Sequence, residues 1–139
     1  MAARGRHATC LVVEDEPLTR WSLVRFLESR GLEAHAVDSA ELALALLQEW
    51  PADVLISDVR LPGMDGLELV NRCQNLRRRP RIILVTGSDG PPLPAGLDRL
   101  GVLGVVDKPF NFDFLARLLA SITRNKAPTG TNAGGAAPP

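Results

Sequence analysis

The chain has no net charge: across 139 residues, 16 lysines and arginines balance 16 aspartates and glutamates. That balance withholds the positive field needed to hold nucleic acid or an anionic membrane. No run of eighteen apolar residues occurs, so no membrane-spanning helix is expected. The first residues, Met1 to Ala8, are basic in part but carry no apolar stretch, and do not read as a signal peptide. Cysteine is scarce. Cys10 and Cys73 have no CxxC spacing, and two unpaired thiols fit a reducing, cytoplasmic compartment. His7 and His35 are isolated and offer no metal set. Neither GxxxxGK[ST] nor GxGxxG is present, which removes a nucleotide-binding loop. Aromatic residues make up 4% of the chain, and none interleaves the basic run Arg77, Arg78, Arg79 and Arg81. That run reads as a helix C-terminus whose dipole is offset by positive charge, not as a nucleic-acid patch.

What is present is a rhythm. Hydrophobic residues are 45% of the chain, enough for one domain with a real core. Apolar runs at 8–13, 32–37, 53–57, 81–85 and 102–106 read as strands. Helices are expected between them: from Pro17 to Arg30, closed by Gly31; over 39–49, with Asp38 and Glu41 as a capping pair; and from Asp65 to about Leu76. A last helix over 112–124 is capped by Asn111. Strands alternating with helices imply an α/β fold, a parallel sheet covered on both faces. The third strand, apolar until Ser57, belongs at its centre. Residues 87–101 break the rhythm. Their prolines and glycines predict an irregular loop, with two turns of helix over 95–100, where a fourth helix would otherwise stand. The domain plan is an extension at 1–7, a folded domain at 8–124 and a Pro/Gly/Ala-rich linker or tail at 125–139.

The strand ends carry the chemistry. Glu14 and Asp15 end the first strand, Asp58 the third and Thr86 the fourth, and Lys108 follows the fifth. In a parallel sheet these ends share one edge, where ligands bind in open α/β folds. Crowded carboxylates repel unless a cation intervenes. A hard ion such as Mg²⁺, or Mn²⁺, suits Asp15, Asp58, the Arg60 backbone carbonyl and, through water, Glu14. The Asp58 carboxylate is then a plausible nucleophile for a phosphoryl group, with Lys108 and the Thr86 hydroxyl serving its oxygens. Each residue alone has a plainer reading. Asp58 suits a turn, Glu14 and Asp15 suit a helix N-terminus, and Lys108 suits a solvated surface. Trp21 falls off the Leu23, Phe26 and Leu27 face, which marks it as partly exposed and a candidate partner contact. Trp50 is expected to pack between helix and loop.

The string Asp58-Val59-Arg60-Leu61-Pro62-Gly63-Met64-Asp65-Gly66 resembles the phosphoacceptor turn of bacterial response-regulator receiver domains. Glu14-Asp15, Thr86 and Lys108-Pro109-Phe110 are similar to that family's remaining marks, in order, over residues 8–124. The resemblance implies a flavodoxin-like doubly wound sheet of order 2-1-3-4-5 and a cis bond before Pro109. It implies phosphorylation of Asp58, a metal pocket at Glu14 and Asp15, a switch hydroxyl at Thr86 and a phosphate-binding amine at Lys108. It also implies a sensor histidine kinase or phosphotransfer protein as donor, an effector domain beyond the linker with a transcriptional output, and a homodimer as a further option. Arg60 would stand beside the path of attacking water. The chain departs from the family at Val105, where Tyr or Phe is usual, at Gly87, and in the 87–94 loop. Two alternatives stand beside the switch. One is a phosphate-independent interaction module. The other is an aspartyl-nucleophile phosphatase, opposed by Arg60 standing where such enzymes place a second Asp. The switch reading does not make the chain an enzyme beyond its own phosphorylation and dephosphorylation.

Overall fold

A computed structural model of the chain describes residues 7–88 and 90–126. In chain order the elements are β1 (Thr9–Val13), α1 (Pro17–Ser29), β2 (Glu33–Val37), α2 (Ala40–Glu49), β3 (Val54–Asp58), α3 (Gly66–Cys73), β4 (Arg81–Thr86), a 3-10 turn (Leu97–Leu100), β5 (Val102–Asp107) and α4 (Phe112–Lys126). The strands form one parallel sheet in the order β2-β1-β3-β4-β5. The central strand β3 is buried along its whole length, as its apolar sequence requires. The expected extension, apart from His7, and the expected tail beyond residue 126 lie outside the described residues.

Alternation of side chains divides the core into two layers. Leu11, Val13, Leu55, Ile82 and Leu84 face α2 and α3, where Ala43, Leu47, Leu69, Val70 and Cys73 meet them. Cys10, Val12, Val54, Ile56, Ile83 and Val85 face Leu23 and Leu27 of α1 and Leu115, Leu119 and Ile122 of α4. Burial pushes the Cys73 thiol up to about 11 and raises that of Cys10 further, so both behave as packed apolar groups.

Local chemistry explains most helix ends. Pro17 opens α1 behind Glu16, whose carboxylate accepts the Thr19 N–H at 2.6 Å, and Gly31 closes it at φ +84°. Asn111 Oδ1 accepts the Phe114 N–H at 3.0 Å and caps α4. Two expectations are corrected. Ser39, not Asp38, caps α2, because Ser39 has the extended backbone of a cap and its hydroxyl accepts the Leu42 N–H at 3.2 Å. Glu41 reaches away from its own helix to the turn after β3. The second correction is that α3 stops at Cys73, three residues short of Leu76. The Gln74 side chain takes the Val70 carbonyl at 2.9 Å, the acceptor that the next helical N–H would have used, and also binds the Leu100 carbonyl at 2.9 Å. The last turn of α3 therefore carries Arg72 alone, and Arg77, Arg78 and Arg79 lie beyond the helix rather than on its dipole.

Among the described residues, no α-helix forms between β4 and β5. A loop leads to the 3-10 turn, bracketed by Gly96 and Gly101 at φ +86° and +91°, and this single turn replaces the two expected over 95–100. Val105 is half-buried against the α2 and α3 layer. Trp50 is half-buried and meets the His35 ring edge-on. Among the described residues, no helix is long and apolar enough to cross a membrane.

Candidate functional site

Strand register assembles the site. Val13 pairs with Ser57, so Glu14 and Asp58, one residue further on, emerge side by side. Asp58 pairs with Val85, and Thr86 with Asp107, which sets Thr86 and Lys108 on the same edge. A cis bond joins Lys108 to Pro109, and the Lys108 N–H is tied to the Thr86 carbonyl at 2.8 Å. The ammonium turns inward. Its Nζ lies 2.7 Å from Asp58 Oδ2 and 3.2 Å from Glu14 Oε1.

Glu14 and Asp58 are buried, whereas Asp15 is exposed. Carboxylate oxygens of the three lie within 4.8 Å of one another. Neighbouring N–H groups fix the two buried acids: Glu16 donates to Glu14 Oε2 at 3.1 Å, and Arg60 donates to Asp58 Oδ1 at 3.1 Å. Arg60 thus meets Asp58 through its N–H. Thr86 is half-buried and its hydroxyl donates to the Gly87 carbonyl at 3.3 Å. Burial raises the Glu14 carboxyl above its ordinary value, and the Asp58 charge adds to this against the Glu16 N–H and Lys108. Partial desolvation pulls the Lys108 ammonium down, but the hydrogen bond and charge of Asp58, followed by those of Glu14, leave it raised.

Three carboxylates thus face one ammonium. The donor set is all hard oxygen and carries excess negative charge, with Asp15 open to solvent, so the residues fit a divalent cation such as Mg²⁺. Every residue expected at the site stands at this edge.

Four supports at this edge were missed in the sequence. Arg20 on α1 donates to the Glu14 carbonyl at 2.9 Å and braces the acid pair from behind. Glu41 on α2 accepts the Met64 N–H at 2.9 Å and steadies the turn after Asp58. Gly63 lies against the same carboxylate at φ +76°, and a Cβ there would sit 2.6 Å from Glu41 Oε2. Gly66 leaves room for the Asp58 carbonyl, which a Cβ would strike. Glu41 lies 23 residues from Met64, and Arg20, six residues from Glu14, reaches back past the start of its own helix; no local motif announces either reach. The glycines were legible as turn formers, but not as close-approach positions.

Comparison with known proteins agrees with this arrangement. The profile of the response regulator receiver domain matches residues 10–120. The chain is 36% identical over 118 residues to the transcriptional regulatory protein KdpE of Mycobacterium tuberculosis, covering 84% of this chain and 52% of that protein. It is 32% identical over 117 residues to the transcriptional regulatory protein FixJ of Bradyrhizobium diazoefficiens, covering 84% and 57%. The crystal structure of a response regulator receiver protein from Pseudomonas putida superposes with a TM-score of 0.75 at 29% identity, covering 83% of this chain and 97% of that one. The chain spans just over half the length of these two curated relatives. A shared sheet order, an acid edge and a sequence profile over most of the described residues lead to one conclusion: the chain belongs to the response regulator receiver domain family.

Proposed function

We propose that Asp58 accepts a phosphoryl group and that this domain switches a downstream output in a two-component system. The observation that carries the reading is Lys108 held between two buried carboxylates, beside an exposed third acid. An Asp58 carboxylate oxygen forms a bond to phosphorus as the bond from phosphorus to the donor breaks, and the departing donor atom keeps the electron pair. In such transfers positioning and charge neutralisation dominate. The Arg60 N–H on Oδ1 holds the nucleophile's plane. Lys108, already at Oδ2, is placed to follow the incoming negative charge, and the Thr86 hydroxyl to turn from Gly87 toward a phosphoryl oxygen. Asp15, Asp58 and the Arg60 carbonyl, with Glu14 behind them, would hold Mg²⁺ or Mn²⁺, which supplies positive charge to the phosphoryl oxygens when bound.

The donor in this reading is a sensor histidine kinase or a phosphotransfer protein. Leu18 and Trp21, 73% and 62% exposed on α1 beside the acid edge, are the proposed contact. A transcriptional output through a further domain follows the relatives KdpE and FixJ, both described as transcriptional regulatory proteins. The missing helix between β4 and β5 and the aliphatic Val105 favour a second reading, a phosphate-independent interaction module.

The test is intact mass after incubation with Mg²⁺ and acetyl phosphate. The expected result is a gain of one phosphoryl group in the wild type, lost in Asp58→Asn and without Mg²⁺. No gain by folded wild-type protein would leave the interaction module.

A further inference from the structure

At the sheet edge opposite the acids, a groove of about 790 Å³ opens between the C-terminal halves of α2 and α3. Its apolar part is Leu44, Leu47, Leu76 and Pro51, and Arg72, Arg77 and Arg78 border it. Arg72 pairs with Glu68 at 2.9 Å. Arg77 and Arg78 are exposed and have no hydrogen bond or ion pair among the described residues. Since α3 ends at Cys73, they do not offset its dipole either. Two adjacent, exposed guanidinium groups without a partner among the described residues thus border a leucine-lined groove. No aromatic side chain lines the groove to stack a base, and the chain carries no net charge, so nucleic acid fits poorly. Guanidinium groups match carboxylates in pairs, and a groove of this size lies in the range that receives a ligand of several side chains.

We propose that this groove docks an acidic peptide segment of a partner protein, with leucine-type side chains on the apolar floor and flanking carboxylates on Arg77 and Arg78. The site is independent of phosphoryl chemistry at Asp58 and would give the domain a second contact face.

The test uses a fluorescein-labelled twelve-residue peptide of glutamates and leucines, read by anisotropy against the full chain, with a matched peptide carrying serine for leucine. The expected result is saturable binding that falls at least tenfold with serine and at least tenfold in Arg77→Glu/Arg78→Glu. Arg81→Glu, which reverses a charge outside the groove, should change it less than threefold. Circular dichroism of the variants checks that they fold. Equal binding of the serine peptide, equal losses for both sets of variants, tighter binding of a single-stranded oligonucleotide at the same arginines, or no binding at millimolar peptide would each overturn the proposal.

Discussion

Glu14 and Asp58 share one ammonium in a site that burial has largely stripped of water. Ionised Glu14 therefore stands at a disadvantage in the folded state. Its raised pKa means that the folded chain binds this proton more tightly than the unfolded chain does. Stability from this group is then highest below the ordinary glutamate value and declines as pH rises through the folded value. Glu14→Gln should accordingly melt higher than wild type at pH 8 in chelator, with the gap closing as pH falls toward 4.5, the ordinary value. Added Mg²⁺ should raise the melting temperature of wild type more than that of the variant. Thermal melts across pH, with and without Mg²⁺, measure both effects. At this scale the sequence was informative: Glu14, Asp15, Asp58, Thr86 and Lys108 were each visible at a strand end. Glu41 was not, because its reach to the turn after β3 depends on where α2 packs, and neither was Arg20, which folds back past its own helix start to the Glu14 carbonyl.

The turn between β3 and α3 is an element held from outside. Its own sequence supplies Gly63, Gly66 and the Asp65 cap, whose Oδ1 accepts the Glu68 N–H at 2.8 Å. Glu41 of α2 adds the contact to Met64. That hydrogen bond, ahead of a second one from the Glu41 N–H, holds the Glu41 carboxyl below its ordinary value. The contact is thus complete above the ordinary value and is lost as pH falls through the lower folded value. The Met64 amide proton shift, followed by NMR, should titrate with a midpoint below 4.5, the ordinary value. In Glu41→Gln the same amide should not titrate in that range. The lengths of α3 and of the β4–β5 connection also belong to this scale. Prolines and glycines revealed that the connecting helix was absent. The early stop of α3 escaped notice, because the Gln74 side chain does its capping by reaching Leu100 as well as its own helix.

For the whole molecule, the sheet is the shared wall of two hydrophobic layers. Leu55 and Ile56 are successive residues of β3, fully buried on opposite sides. Truncation of either leaves a cavity in only one layer, yet neither layer has another sheet to pack on. Leu55→Ala and Ile56→Ala should each lower unfolding free energy by about 2–5 kcal/mol. In urea, each should still unfold in one transition, coincident by circular dichroism and tryptophan fluorescence. Non-coincident transitions would show that the layers can unfold separately.

The sequence by itself determined the alternation of strands and helices, the central place of β3, the failure of the connecting helix and which polar residues stand at the strand ends. These follow from period, turn residues and the apolar runs, which are local properties. Tertiary structure decided which helices lend Arg20 and Glu41 to the site, that Lys108 bridges two acids, and that Arg77 and Arg78 border a groove instead of capping a helix. Those depend on strand register and helix packing, which bring residues distant in sequence within hydrogen-bonding reach and are not encoded in any short window of the chain.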